Sequence, residues 1–261
     1  MIIIKIESTV ITHVGLAKSK NEDNYFINGR CKSDSTVTAE GFVDNKQRDT
    51  YLYAIYDGMG GENTGEVASM IAARTLMEYI STDIRYTATD YIQRANKLIC
   101  DDIIRNEGIR SGATFAMLYL RDKKATAFNI GVSRIYLLRN DDLYLLTEDH
   151  TEAQKMINMG MLDEESAKHH SSRNKLTQHL GIFPNELKLE PYISKELKIK
   201  KKDIFLVCSD GLSNMVNDDE IRDIMARKDL DTPGIAKELS ATAQENGGKD
   251  NTSVIVIKIV Q

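Results

Sequence analysis

Cysteine, proline and tryptophan are scarce in this sequence. Among its 261 residues there are three cysteines, three prolines and no tryptophan. Cys31, Cys100 and Cys208 are odd in number and form no CxxC pair, which argues against a disulfide framework and against a structural zinc site. Because the chain also lacks a Ser/Gly-rich linker and an internal repeat, we predict a single domain over residues 1–261.

Long apolar runs and an excess of basic residues are missing as well. The N-terminal segment MIIIKIESTV is broken by Lys5 and Glu7, and no apolar run reaches the length that spans a bilayer. The net charge of -5 argues against a general nucleic-acid binder. We therefore expect a cytoplasmic protein with neither a membrane nor a nucleic-acid partner.

Strand and helix patterns alternate along the chain. Apolar and β-branched runs separated by short polar turns indicate antiparallel hairpins, and apolar residues at helical spacing indicate amphipathic helices. We predict strands at 2–14, 25–28, 51–56, 114–120, 125–130, 134–139, 143–147, 203–208 and 253–260. We predict helices at 63–80, with Asn63 and Glu66 as a capping box, and at 89–106, 151–159, 218–226 and 232–245. The mixture predicts an α+β fold of two packed sheets with helices outside, and a hairpin or loop at 30–50.

Two of the strand patterns run directly into an Asp-Gly pair. YLYAIY precedes Asp57 and Gly58, and IFLVCS precedes Asp210 and Gly211. A single Asp-Gly between apolar runs favours a hairpin turn, but each pair here is followed by a helical pattern instead of a second strand. We therefore interpret the two aspartates as functional residues at strand ends.

Further acids stand at other strand ends. Asp250 precedes the closing strand, and Glu22 and Asp23 belong to the cluster NED before the strand at 25–28. Carboxylates brought together repel each other unless a cation lies between them, and oxygen ligands without Cys or His pairs favour Mg²⁺ or Mn²⁺. The alternative, a phosphate-binding loop at GMGGENTG, is weaker because this segment lacks a GK[ST] ending and carries Asp57 and Glu62.

The order of several motifs resembles the metal-dependent protein phosphatase family (PPM, type 2C), in its bacterial serine/threonine phosphatase branch. The matching segments are KSKNED at 18–23, YDGMGG at 56–61, SGATF at 111–115, IGVSRIYLLR at 130–139, LTEDHT at 146–151, CSDGL at 208–212 and GGKDNTSVIVI at 247–257. The resemblance implies an α-β-β-α sandwich with a flap-like subdomain at about 151–181. It also implies hydrolysis of phosphoserine and phosphothreonine by a metal-activated water, with two divalent cations, Mn or Mg, as cofactors.

The resemblance also implies site residues and partners. Asp57 would bridge the two cations, Asp210 and Asp250 would hold the first, and Glu22 would serve the second, directly or through water. The implied metal ligands are Glu22, Asp57, Gly58, Asp210 and Asp250, and the implied catalytic residues are Lys18 and Asp23. The partners would be phosphorylated proteins and an opposing serine/threonine kinase, and we expect a monomer.

Three residues depart from the family pattern. Lys18 stands where the family usually has an arginine that binds the substrate phosphate, and lysine lacks its two-pronged geometry. Val132 stands where an aspartate is common, and because valine cannot ligate a cation, it argues against a third metal site. Met59 replaces the candidate acid histidine of eukaryotic relatives, so a metal-bound water or another residue would protonate the leaving group. We interpret His150, beside Asp149, as a structural hydrogen-bond partner.

Lys18 and Val132 also motivate an alternative function, a catalytically weak or inactive phosphoprotein-binding relative. Such a relative would be expected to lose its acidic ligands first, because clustered carboxylates without a metal cost stability. Glu22, Asp57, Asp210 and Asp250 are all present. The sequence therefore predicts an active phosphatase.

Overall fold

The computed structural model describes residues 5–32, 39–60 and 64–261. The strands are β1 Ile6–His13, β2 Asn24–Ile27, β3 Arg30–Cys31, β4 Ala39–Asp44, β5 Thr50–Gly60, β6 Ser111–Arg121, β7 Lys124–Ile130, β8 Arg134–Arg139, β9 Asp142–Leu145, β10 Tyr192–Ile193, β11 Leu197–Lys198, β12 Ile204–Cys208 and β13 Thr252–Ile259. The helices are α1 Gly65–Leu76, α2 Ile84–Arg105, α3 Glu152–Asn158, α4 Glu164–His169, α5 Asp210–Ser213, α6 Asp218–Met225 and α7 Thr232–Glu245, with a 3₁₀ turn at Met77–Tyr79. No helix within the described ranges is long and apolar enough to cross a membrane.

Two mainly antiparallel sheets form the centre of the molecule. The strand order is β4-β1-β13-β12-β8-β9 in the first sheet and β10-β7-β6-β5-β2-β3 in the second, where β11 also pairs with β7. β1 and β13 pair along their whole length, from Ile6 opposite Ile259 to His13 opposite Thr252. The predicted α+β fold, with helices outside two sheets, is confirmed.

The central strands are buried on both faces, which explains their unbroken apolar sequences. One face of β5 packs in the core between the two sheets, through Tyr51, Tyr53 and Ile55. The other face packs against α1 and α2, through Leu52, Ala54 and Tyr56. In the first sheet, β12 and β13 likewise divide their side chains between the core between the sheets and a core formed with α6 and α7. The layers therefore follow the order α-β-β-α.

Some boundaries differ from the predicted ones. β5 does not end at Tyr56 but continues to Gly60, because Ser111 of β6 pairs with that glycine. α2 begins at Ile84 instead of 89, since the side chain of Asp83 accepts a hydrogen bond from the backbone of the first helical turn. The predicted cap at Asn63 lies outside the described residues.

Part of the segment predicted as a hairpin or loop at 30–50 forms β4 at the edge of the first sheet. β4 pairs with β1 from Asp44 opposite Ser8 to Ala39 opposite His13. One face of this strand lies toward the core between the sheets, where Phe42 packs. The strand is short of apolar residues because its other face is solvent-exposed.

Candidate active site and metal centre

Asp57 lies near the end of β5, on the face that points between the two sheets. Side chains two residues apart share one face of a strand, and Tyr53 and Ile55 pack in the core between the sheets. Gly58 follows, buried and opposite Ala113 of β6. The apolar face of β5 therefore ends in a carboxylate at one end of the sandwich.

Asp210 and Asp250 reach the same end of the molecule from the first sheet. β12 and β13 are antiparallel neighbours with Cys208 opposite Val254, so the residues after one strand lie beside those before the other. α5 begins at Asp210 and packs tightly there, since a Cβ on Gly211 would overlap the backbone carbonyl of the neighbouring turn. This Asp-Gly pair is therefore required by close packing and not by a hairpin turn.

A loop at 14–23 crosses this end of the sandwich and carries Lys18, Glu22 and Asp23. Asn251 fixes the loop in place. Its side-chain amide donates to the carbonyl groups of Val14 and Lys20 at 2.8 Å each, and its side-chain oxygen accepts from the Glu22 N–H at 2.8 Å. No role was predicted for Asn251, although an amide directly after Asp250, at the start of a strand, was a usable signal.

Negative charge is crowded where these elements meet. The carboxyl groups of Asp57 and Asp210 lie close enough for each to change the pKa of the other. Burial, followed by the charge of Asp210, raises the pKa of Asp57 well above its ordinary value. Burial also raises the pKa of Asp210, and nearby Asp250 adds to that rise. Burial and then the charge of Glu66 raise the pKa of Glu22.

Lys18 brings a positive charge to the same place. Its Nζ lies 2.9 Å from Oδ1 of Asp250. Burial alone would lower the pKa of Lys18, but the hydrogen bond to Asp250 and the charges of Asp250, Glu22 and Asp57 raise it. The Lys18 side chain is 42% exposed and that of Asp250 is 47% exposed, so the solvent screens their ion pair.

Asp23 lies beneath the other acids and is 1% exposed. Its Oδ2 accepts a hydrogen bond of 2.8 Å from the hydroxyl of Ser209, whose oxygen in turn accepts one of 3.0 Å from the N–H of Ser253. Burial raises the pKa of Asp23 to about 7, with Asp250 adding to the rise. Because Ser209 is the N-cap residue of α5, Asp23 anchors the residue that precedes Asp210.

His150 has a structural partner, as its position beside Asp149 predicted. Its Nδ1 accepts a hydrogen bond of 3.0 Å from the N–H of Gly131, and its own N–H donates to the Gly131 carbonyl at 2.9 Å. Burial lowers the pKa of His150. Both bonds tie the chain after β9 to the turn between β7 and β8.

A cavity of about 810 Å³ lies between α3 and α4 on one side and α5 and α6 on the other. Val132 and Asp210 share its wall, and Arg134 lines it while making a two-pronged ion pair with Asp149, at 3.0 and 2.6 Å. Gln154 of α3 faces it from the flap-like segment. The cavity therefore opens directly beside one of the predicted metal ligands.

Among the described residues, no three His, Cys, Asp or Glu side chains close tightly enough round one point to hold a metal ion. The donors nevertheless suit a hard divalent cation. The side chains of Asp57, Asp210 and Asp250 offer only oxygen. Burial, and after it the charge of neighbouring acids, raises the pKa values of Asp57 and Asp210, and a cation would offset both effects. The ligand roles stay a prediction.

The family model described as Protein phosphatase 2C matches residues 27–241, well over half of the chain. The chain belongs to the protein phosphatase 2C family. The resemblance predicted from the motifs is confirmed, and so is the enzyme class, a protein-serine/threonine phosphatase. The alternative of a non-catalytic relative is not supported.

Curated relatives of this protein phosphatase match it over most of their length. It is 27% identical to Protein phosphatase PhpP of Streptococcus pneumoniae, over 97% of this chain and 98% of the relative. It is 30% identical to Serine/threonine phosphatase stp of Listeria welshimeri, over 84% of this chain and 88% of the relative.

Solved structures share the fold of this protein phosphatase. The serine/threonine phosphatase PstP/Ppp of Mycobacterium tuberculosis has a TM-score of 0.81 at 24% identity, covering 98% of this chain and 100% of that one. The catalytic domain of the serine threonine protein phosphatase PstP in complex with two manganese ions has a TM-score of 0.79 at 24% identity, covering 99% and 100% of the two chains.

Proposed function

We propose that this phosphatase hydrolyses phosphoserine and phosphothreonine in proteins with a water activated by two divalent cations, Mn or Mg. Asp57 would bridge the two, with the Gly58 carbonyl on one of them, and Asp210 and Asp250 would hold the first and Glu22 the second. The observation that carries the proposal is that carboxylates from both sheets and from the connecting loop lie at one end of the sandwich. The manganese complex of a protein with the same fold supports it. Since Val132 offers no oxygen, a third cation is not part of the proposal.

When bound, two divalent cations lower the pKa of a water to near neutrality and balance the charge that develops on the phosphoryl oxygens. Lys18 would orient the substrate phosphate, because its side chain is 42% exposed and its ammonium can exchange the ion pair with Asp250 for a phosphate. Asp23 is a positioning residue, since it holds Ser209 and thereby the start of α5. Met59 carries no proton to transfer and takes no part in protonating the leaving group.

The cavity beside Asp210 supports a route for the phosphorylated segment of a substrate protein. Its volume of about 810 Å³ suits several side chains, and the flap-like segment at 151–181 supplies one wall. We treat residues 1–261 as one domain with this flap as a subdomain. The phosphatase would act in the cytoplasm, as a monomer, on proteins that an opposing serine/threonine kinase has phosphorylated.

Hydrolysis of a phosphothreonine peptide tests the proposal. Wild type should be active with Mn²⁺ or Mg²⁺ and inactive with a chelator, and Asp57→Asn should lose activity by at least about a hundredfold because the bridging carboxylate is gone. Asp101→Asn, an exposed acid on α2, is the matched control and should keep full activity. Metal-independent turnover, or full activity of Asp57→Asn, would overturn the proposal.

A further inference from the structure

Glu66 is a buried acid beside the proposed metal centre that the predicted ligand set omits. It is the second residue of α1 and is 7% exposed. Its Oε1 lies 3.4 Å from Nζ of Lys20, whereas its Oε2 has no hydrogen-bond partner among the residues that the structure describes. Burying a carboxylate oxygen without a donor or a positive charge costs free energy. Such an oxygen at a metal centre therefore needs an explanation.

The first turn of α1 is pressed against Glu22. The N–H of Gly65 donates to the Glu22 carboxylate, and a Cβ on Gly65 would lie only 2.8 Å from Oε1 of Glu22. The same Cβ would lie 2.9 Å from the carbonyl carbon of Gly58. Ser69 donates to the Glu22 carbonyl at 2.6 Å. Glu66 is thereby fixed beside two groups that the proposed function assigns to the cations.

The position of Glu66 at a helix start does not by itself account for this arrangement. A helix N-terminus stabilises a nearby acid only modestly. The start of α1 already receives the carboxylate of Glu22, and a second acid there repels the first. The ion pair with Lys20 adds little, since that lysine side chain is 48% exposed. Within the described ranges, Oε2 of Glu66 therefore still lacks a hydrogen-bond donor.

We propose that Glu66 acts with Glu22 to bind the second divalent cation, by accepting hydrogen bonds from water that the hydrated cation retains. This inference rests on the proposed function. Mg²⁺ sheds its water reluctantly and usually keeps several molecules, so a site for it needs acceptors behind the direct ligands. Outer acceptors of this kind are worth about 10- to 100-fold in metal affinity. Glu66 is a positioning residue in this scheme and does not touch the substrate.

Calorimetric titration of Mn²⁺ into the chelator-stripped, full-length protein tests the inference without measuring turnover. Glu66→Gln should weaken one of the two binding steps about 10- to 100-fold and leave the other unchanged. Glu66→Asp, which keeps the charge one carbon short, should lose part of that affinity. Lys20→Met is the matched control and should bind Mn²⁺ at least as tightly as wild type. If Glu66→Gln and Glu66→Asp both bind Mn²⁺ with the same affinities as wild type, the inference is overturned.

Thermal unfolding in chelator separates this role from a structural one. If Glu66 binds the cation, Glu66→Gln should leave the Tm of the stripped protein unchanged or raise it, because a like charge beside Glu22 is removed. A lower Tm with unchanged Mn²⁺ binding would show that Glu66 only stabilises α1 and would overturn the inference. Asp57→Asn, titrated in parallel, distinguishes the two proposals. If Asp57→Asn retains both Mn²⁺-binding steps, the proposed function fails. If Asp57→Asn loses these steps while both Glu66 variants keep them, only the role of Glu66 fails.

Discussion

Lys18 differs from the arginine usual in the family in how it can meet a phosphate. An ammonium is a point charge, whereas a guanidinium presents two parallel donors to two oxygens. Lys18→Arg should therefore lower KM for a phosphothreonine peptide about fivefold, the effect of roughly 1 kcal/mol from one additional hydrogen bond, with little change in kcat. Steady-state kinetics measure this, with Lys20→Arg as the control on the same loop. An unchanged or higher KM in Lys18→Arg would contradict the role given to Lys18.

His150 makes stability depend on pH. Its folded pKa is lowered from 6.5 by burial, so the stability that depends on the neutral ring is fully present above pH 6.5 and is lost as pH falls through the folded pKa. His150→Asn keeps an acceptor for the Gly131 N–H and cannot gain a proton. Between about pH 7.5 and pH 5, the free energy of unfolding should therefore fall less in His150→Asn than in wild type. Urea unfolding at both pH values checks this, and His169→Asn, an exposed change, should behave like wild type.

Among the elements, α5 is only four residues long, yet it sets the position of Asp210. A Cβ on Gly211 would overlap the carbonyl oxygen of Asn251, so Gly211→Ala must push α5 away from the turn that carries Asp250. We expect the loss of about 2 kcal/mol or more of stability and a clear loss of Mn²⁺ affinity. Gly108→Ala is the control for metal binding, because its Cβ would meet no atom within 4 Å and its φ of +82 costs only local backbone strain. Chemical unfolding and Mn²⁺ titration should show that only Gly211→Ala weakens metal binding.

Elements with strong local signals were predicted to the residue. β8 and α7 have the predicted bounds 134–139 and 232–245, since an apolar run between turns defines the first and the cap at Asp231 begins the second. The last four residues of β5 were missed because Gly58 and Gly60 have little strand propensity and depend on β6 for pairing. β4 was missed because it is an edge strand whose order comes from β1.

The candidate site shows the same difference between residues with a local sequence signal and residues that depend on distant contacts. The acids Asp57, Asp210 and Asp250 could be proposed as ligands from the sequence because each stands at one end of a strong strand pattern. Asn251 and Glu66 were not assigned to the site, since their importance comes from contacts between distant parts of the chain. Asn251 bonds residues more than two hundred positions away, and Glu66 matters only because α1 begins against Glu22. No local pattern encodes such contacts.

In the whole molecule, the flap-like segment is tied to the body at its base. The backbone N–H of Glu152 donates to the Lys175 carbonyl at 2.9 Å, which joins the two ends of this segment, and the N–H of Thr177 donates to the carbonyl of His150, just outside it, at 2.8 Å. The helices α3 and α4 are thereby held opposite α5 and α6, with the cavity between them. A large substrate should therefore contact both sides, whereas a small aryl phosphate should need only the groups at the proposed metal centre.

Filling the cavity should separate these two kinds of substrate. Gln154→Trp places a large ring on the cavity wall. We expect KM for a phosphothreonine peptide to rise on the order of tenfold, because even a mismatch of one methylene in a pocket costs about 1–3 kcal/mol. Hydrolysis of p-nitrophenyl phosphate should be unchanged. Lys155→Trp, on the same helix but off the cavity wall, is the matched control and should leave both reactions as in wild type. Equal losses on both substrates in Gln154→Trp would mean that the ring disturbs the metal centre itself, and no loss on either would mean that the peptide does not enter this cavity.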